Sequence, residues 1–151
     1  MEDELFIVSV TAIVFNANGK MLITKRASTK KRWPDKWTVP GGRVSSADFI
    51  GTPTEINNQW YGTLEAATRR EVLEEVGLSI DNIEYLTSIA IPGGMIISYT
   101  ANATSDVIQL QEEETDAYAW VSAKEAEKYD LIDGILRELY DAERRRTERN
   151  V

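Results

Sequence analysis

The segment TLEAATRREVLEEVG, residues 63–77, constrains the fold more than any other part of the chain. Strong helix formers fill the segment, and its closing Gly77 is a common signal for the end of a helix. The segment therefore predicts a helix over 63–77. Because such a helix buries its apolar side, it needs a second layer of structure to pack against.

The acidic residues of this helix share one side of it. At about 100° per residue, Glu71, Glu74 and Glu75 fall on a single arc. The opposite arc, which we expect to be buried, holds three apolar side chains: Val72, Leu73 and Val76. Like charges at this spacing repel, which indicates a compensating partner such as a hard divalent cation. The alternative is a solvated acidic face whose Arg70 makes ordinary ion pairs.

Segments typical of β-strands lie on both sides of the helix. Six of them predict strands: residues 5–15, 21–26, 37–39, 83–91, 95–101 and 118–121. The first two flank a turn rich in Asn and Gly and predict a hairpin. The third is expected to end at Pro40-Gly41-Gly42, followed by an irregular stretch over 43–61. The fourth and fifth flank Pro92-Gly93-Gly94 and predict a second hairpin.

The C-terminal part of the chain is predicted to be helical. Ser122 is placed to cap a short helix over 123–129. Apolar residues then recur at steps of three and four and predict an amphipathic final helix: Leu131, Ile132, Ile135, Leu136, Leu139 and Tyr140. Its tail, ERRRTERN, is expected to be a solvated, fraying end, with a functional basic patch as the alternative. This order of elements predicts an α+β fold with a mixed sheet, in a single domain over 1–151.

The composition of the chain limits which catalytic and metal-binding groups it can supply. The chain has no Cys and no His, which excludes disulfides, thiolate nucleophiles, His-dependent triads and imidazole metal ligands. Acid and base roles therefore fall to carboxylates, Lys, Tyr or bound water. A formal net charge of −8 disfavours nucleic acid as the partner, and the acidic start MEDEL with no long apolar run disfavours a membrane. We expect a cytoplasmic protein.

Residues 70–78, REVLEEVGL, resemble the last nine positions of the Nudix hydrolase signature, and residues 37–42, WTVPGG, resemble the strand and glycine turn that precede them in that family. The resemblance covers the order of elements over most of the chain and implies an α/β/α sandwich, a Nudix-type mixed β-sheet flanked by helices. From Gly42 to Arg70 the chain runs 28 residues, twice the family's spacing. The sequence therefore predicts an insertion, from about Phe49 to Gly62, with Asp48 standing where the family has its first Glu.

The resemblance also implies roles for individual residues. Glu71, Glu74 and Glu75 correspond to metal-binding carboxylates, and Glu71 also to a general base in some members. Arg70 would orient the glutamates, and the carbonyl of Gly41 would be a further ligand. A later acidic loop supplies one more acid, for which Glu114 is our choice among four candidates: Glu112, Glu113, Glu114 and Asp116. The implied cofactor is Mg²⁺, with Mn²⁺ as the alternative.

The implied activity is metal-dependent hydrolysis of a diphosphate linkage in a nucleoside diphosphate joined to another moiety, by water attack on phosphorus. Alternatives are a pyrophosphatase for oxidised nucleoside triphosphates, an ADP-ribose pyrophosphatase, and a non-catalytic domain that senses nucleotides. Pro92 lies about where ADP-ribose-cleaving members of the family carry a Pro, but before Gly93-Gly94 it is more simply a turn former. The isopentenyl diphosphate isomerase branch of the family needs a Cys, which this chain lacks. Fold-level analogy leaves a homodimer open.

Aromatic residues offer candidates for stacking on a substrate base: Trp33, Trp37, Trp60 and Tyr99. Each could lie in the core instead. In the insertion, Trp60 and Tyr61 are expected to cover the core, with base stacking or a dimer contact as the alternative.

Overall fold

The computed structural model describes residues 2–54 and 56–149. Seven strands in this part form one sheet. They are β1 (Ile7–Phe15), β2 (Met21–Arg26), β3 (Trp37–Thr38), β4 (Gly41–Arg43), β5 (Ile80–Ile91), β6 (Gly94–Ala103) and β7 (Thr115–Val121). Three α-helices flank the sheet: α1 (Thr63–Val76), α2 (Ala123–Ala126) and α3 (Ile135–Arg149). The predicted α+β fold is confirmed.

Strand β1 is the centre of the sheet, and its neighbours run in both directions. It pairs in parallel with β6 along its whole length, from Ile7 beside Gly94 to Phe15 beside Asn102. It pairs antiparallel with β4 and, at its end, with β2. Strand β5 forms the predicted second hairpin with β6, and β7 pairs with β2. The sheet is therefore mixed, as the order of elements predicted.

Helix α1 covers one face of the sheet. Its Val72 and Val76 are fully buried and pack with Ala12 and Val14 of β1. The expectation that Leu73 is buried with them was wrong, since its side chain is 54% exposed. Leu73 lies at the edge of the apolar arc, where the helix has already turned away from the sheet.

Helices α2 and α3 cover the opposite face. Ser122 caps α2 as predicted, although the helix ends at Ala126. Helix α3 begins at Ile135, so Leu131 and Ile132 precede it while still packing against the core. With 15 residues it is the longest helix of the described chain, and none there is long and apolar enough to cross a membrane.

The basic tail differs from its expected form. Helix α3 continues through Arg149 instead of fraying, and the guanidinium of Arg146 lies 3.7 Å from the ring centroid of Phe15. Arg145 donates a hydrogen bond to the carbonyl of Tyr85 at 3.1 Å. The described tail therefore stays largely exposed, as expected, but it is helical and contacts the sheet through Arg145 and Arg146.

The stretch between β3 and α1 also departs from the prediction. Strand β3 ends before Pro40, as predicted, but Gly41–Arg43 then form a further strand, β4, and Ser46–Asp48 form a 3₁₀ turn. In the insertion, Trp60 packs on Phe49 and donates to the carbonyl of Thr52, while Tyr61 is 57% exposed. The expectation that Trp60 and Tyr61 cover the core was wrong, because these aromatic contacts stay within the insertion.

Gly77 makes the end of α1 sensitive to substitution. Its φ is +72°, and a Cβ there would lie 2.9 Å from Cβ of Gln109. Gly19 has a similar φ of +75°, but a Cβ there would have no neighbour within 4 Å. We expect G19A to lose about 1 kcal/mol of unfolding free energy from backbone strain alone, and G77A to lose about 1–3 kcal/mol more from crowding. Urea unfolding of both variants checks this, and equal losses would contradict it.

Candidate active site

The acidic arc of α1 lies against the glycine strand β4. Because β4 pairs with β1 and α1 packs on both strands, the carboxylate of Glu75 reaches the backbone of Gly41. The Gly41 N–H donates to Glu75 Oε2 at 3.1 Å, and the Thr115 hydroxyl donates to Oε1 at 3.2 Å. Both oxygens of the carboxylate are thus held in place by neutral donors.

Glu75 is an enclosed carboxylate without a cationic partner. Among the described residues, no Lys or Arg forms an ion pair with it. Burial raises the pKa of Glu75 to about 7, the charges of Glu71 and Glu114 push the same way, and the bonds from Gly41 and Thr115 only partly oppose it. A buried charge in this state would be stabilised by a cation placed against it.

Arg70 is the cation that contacts the other two acids of the arc, Glu71 and Glu74, and it also pairs with Asp48. Its guanidinium makes a two-pronged ion pair with Asp48, in which Nη2 lies 3.2 Å from Oδ2. The same group bonds Glu71 at 3.0 Å and Glu74 at 3.1 Å. The Arg70 hydrogen bond holds the pKa of Asp48 below its ordinary value. Asp48, the residue that stands where the family has its first Glu, therefore lies against Arg70. It is the last residue of the 3₁₀ turn, whose N-cap is Ser45.

Glu71 lies between Arg70 and the glycine strand. Burial is the main cause that raises its pKa, and Arg70 works against that rise. The Glu71 carboxylate occupies the space where a side chain at Gly42 would begin: a Cβ there would lie 2.3 Å from its carboxyl carbon. Gly42 thus leaves a cradle for this carboxylate.

The loop before β7 brings Glu114 to the same site. Gln111 N–H donates to the carbonyl of Glu75 at 2.9 Å, which ties the loop to the end of α1. Glu114 is close enough for its charge to raise the pKa of Glu75, and it forms an ion pair with Lys30 at 2.6 Å. Counting residues could not find the contacts of Gln111 and Thr115, because both depend on a loop folding back onto α1.

Comparisons with known proteins identify the family of the chain. The NUDIX domain family matches residues 5–142. The chain belongs to this family. The resemblance of residues 70–78 is thereby confirmed. The NUDIX domain of Shewanella oneidensis NrtR, solved in complex with ADP ribose, has a TM-score of 0.71, with 19% identity over 96% of this chain and 90% of that one. At this identity the likeness shows the fold.

Two relatives of this chain are named for two different activities. Isopentenyl-diphosphate Delta-isomerase of Corynebacterium diphtheriae is 31% identical over 121 residues, 72% of this chain and 59% of that protein. NAD-capped RNA hydrolase NudC of Haemophilus influenzae is 40% identical over 62 residues, 40% of this chain and 24% of that protein. The chain therefore spans about three fifths of the first relative and a quarter of the second.

The donor set of this NUDIX site suits a hard divalent cation. Its acids offer only carboxylate oxygens, and the enclosed charge of Glu75 has no cation against it in the described chain. In the arrangement seen here, no three acidic side chains of the described residues are grouped closely enough to hold a metal. Glu74 is turned toward Arg70 and is 54% exposed. A full ligand set would need Glu74 to leave that ion pair.

A cleft of about 740 Å³ opens beside these acids. Gly41, Gly42 and Glu75 form part of its wall. Trp33 is the one of the four aromatic candidates that lines the cleft. The guanidinium carbon of Arg32 lies 5.0 Å from the centroid of its ring. Tyr99 is buried in the core, Trp37 packs on Tyr129, and Trp60 stays in the insertion.

Other residues of the cleft went unrecognised in the sequence. Arg26 and Arg32 line it from the β2–β3 side, and Glu138 and Asp141 line it from α3. The basic run Lys30-Lys31-Arg32 before Trp33 was a signal that could have found the first group. The sequence held no such signal for Glu138 and Asp141, because their place beside the cleft depends on how α3 packs.

The two glycines of β4 allow a matched test of the cradle. In G42A the Glu71 carboxylate is the end of a flexible side chain, so we expect it to swing away with little loss of stability. Affinity for Mn²⁺, measured by calorimetry, should fall by about tenfold or more. In G41A the new Cβ would lie 2.4 Å from the backbone carbonyl of Val10, so the unfolding midpoint should fall. Unchanged Mn²⁺ affinity in G42A would contradict a role for Glu71.

The raised pKa of Glu75 predicts how stability of the metal-free protein depends on pH. Between about 4.5 and 7 the folded state binds a proton that the unfolded state releases, so the unfolding free energy falls as pH rises. The carboxylate costs up to about 3 kcal/mol above pH 7. We expect E75Q, unfolded by urea with chelator at pH 8, to be more stable than wild type and to show a shallower pH dependence. Parallel pH curves for the two proteins would refute this.

Proposed function

We propose that this chain hydrolyses a diphosphate linkage in a nucleoside diphosphate joined to another moiety. The observation that carries the proposal is the convergence of Glu71 and Glu75 on the Gly41-Gly42 backbone, at the wall of a cleft large enough for a nucleotide. Acid-rich sites of this kind bind phosphates only when a cation reverses the local charge.

The residues proposed to hold Mg²⁺ are Glu71, Glu74, Glu75, Glu114 and the carbonyl of Gly41. Bound there, Mg²⁺ or Mn²⁺ would offset the charge of the phosphates and lower the pKa of a water molecule. The enclosed, unpaired charge of Glu75 supports this assignment. Arg70 is proposed to orient the glutamates, since it is fixed by Asp48 and bonds Glu71, while Glu74 would leave its pair with Arg70 to bind the metal.

A carboxylate must accept the proton of the attacking water, because the chain has no His. We assign this role to Glu71, which lies between Arg70 and Gly42. The water oxygen forms a bond to phosphorus as the bond from phosphorus to the bridging oxygen breaks. The leaving phosphate takes that oxygen with its electron pair.

The other walls of the cleft indicate how a nucleotide would be held. Trp33 is 48% exposed and offers a face for base stacking, while Arg26 and Arg32 offer charge to phosphates. The Shewanella relative was solved with ADP ribose, a compound of the proposed substrate class. We therefore place ADP-ribose and nucleoside triphosphates, oxidised or not, first among the substrates to test.

The isomerase name of one relative suggests a different reaction on a diphosphate. The resemblance implies that this branch needs a Cys, and the chain has none. Nucleotide sensing without turnover is the alternative from another class. It is less favoured because all three glutamates of the arc are present.

A panel of nucleoside diphosphate derivatives tests the activity. With Mg²⁺ or Mn²⁺ present, we expect one class to be cleaved, with products identified by mass, and cleavage to stop with chelator. E75Q should lower turnover by roughly a thousandfold because it removes the enclosed negative charge. E65Q, on the first turn of the same helix, is the matched control and should keep wild-type turnover.

Three outcomes of the panel would contradict the proposal. Near-normal turnover in E75Q would remove the metal assignment. Nucleotide binding without cleavage anywhere in the panel would favour a sensor. Conversion of isopentenyl diphosphate to its allylic isomer would show that the isomerase reaction proceeds here without Cys.

A further inference from the structure

A second pocket, of about 270 Å³, lies at the far end of α3 from the cleft. Helix α3 contributes to both: Glu138 and Asp141 line the cleft, whereas its last two turns line the second pocket. The lining is mostly polar: Phe15, Asn82, Glu84, Tyr85, Thr100, Asn102, Ala142, Arg145, Arg146 and Arg149. The glycine strand and the acids of α1 do not contribute to it.

Three arginines of one helix face enter this pocket. Arg145, Arg146 and Arg149 follow Ala142 at steps of three, four and seven residues, which places them on the side of α3 that meets the sheet. Each is fixed by a contact from the sheet. Arg145 bonds the Tyr85 carbonyl, Arg146 bonds the Asn102 side chain, and Arg149 pairs with Glu84.

These contacts leave most of the positive charge uncompensated. Arg145 and Arg146 have neutral partners, and no described carboxylate lies in an ion pair with either. Glu84 is the one acid lining the pocket, against three arginines. A guanidinium carries five N–H donors, so each of these arginines keeps several for a ligand. Burial also lowers the pKa of Arg146, a cost that a bound anion would offset.

We propose that this second pocket binds a small phosphate-bearing anion, at a site separate from the cleft. Phosphate is the anion whose geometry matches several guanidinium groups at once. The volume suits a phosphate or diphosphate group, with the exposed ring of Tyr85 and the amides of Asn82 and Asn102 at its sides. In a chain of net charge −8, a pocket that gathers three arginines also draws such anions to this end of the molecule.

Calorimetry with inorganic phosphate and pyrophosphate tests the site. Chelator is present throughout, so that no metal ion recruits either anion to the acids beside the cleft. Wild type should bind pyrophosphate more tightly than phosphate. The double variant R145Q/R149Q should bind at least about tenfold more weakly because two charged donors are lost. The matched control is R144Q, which changes a residue of the same helix that pairs with Asp141 and does not line the pocket.

A variant with the opposite expected effect separates binding from folding. E84Q removes the acid of the pocket and releases Arg149, so pyrophosphate should bind more tightly to it, by about threefold or more. A misfolded pocket cannot produce this gain. Any of three results would overturn the proposal: no binding to wild type, equal weakening in R144Q and in the double variant, or no gain in E84Q. Unfolding midpoints without phosphate check that every variant is folded.

Discussion

Crowding of negative charge on one turn of α1 is the constraint on which the rest of the site depends. Three acids within five residues repel one another, and the structure offsets this in two different ways. Arg70 shares its one positive charge among Asp48, Glu71 and Glu74, whereas Glu75 receives only neutral donors from Gly41 and Thr115. One member of the arc therefore keeps an enclosed charge that a divalent cation could offset.

The two arrangements depend on elements that are far apart in the sequence. Arg70 is fixed by Asp48 from the 3₁₀ turn, so the start of the insertion helps to orient the arc. Gly41 reaches Glu75 because β4 pairs with β1 beneath α1. A change in the insertion could therefore alter the site through Asp48 without touching any residue of the acidic arc.

Sequence reasoning succeeded where the pattern is local. Helix α1 was predicted within a residue of its bounds because helix formers, the apolar arc and Gly77 all agree within one segment. The hairpins and the cap at Ser122 are local features as well. The family resemblance rests on the same kind of signal, a run of nine adjacent residues. Roles of individual site residues within that run stay predictions.

The failures share one physical cause, which is contact between distant segments. Pro40-Gly41-Gly42 was predicted to stop a strand because Pro and Gly favour turns, yet pairing with β1 makes Gly41–Arg43 a further strand. The basic tail was expected to fray because a run of Arg favours water. Its packing on Phe15 and Tyr85 becomes evident only when α3 lies across the sheet. The outward face of Leu73 likewise depends on where α1 leaves the sheet.

Charge along α3 needs more than one explanation. Acids near its beginning and arginines near its end suit the helix dipole, which favours this order in any exposed helix. The dipole accounts for the sign of the charges at each end of α3, but not for the direction in which the arginine side chains point. Arg144 points away and pairs with Asp141 of its own helix, whereas Arg145, Arg146 and Arg149 turn toward the sheet and line a pocket. Arg146 is half-buried there, and desolvation of its charge costs free energy that the helix dipole alone does not offset. Recognition of an anion accounts for the direction as well as the sign.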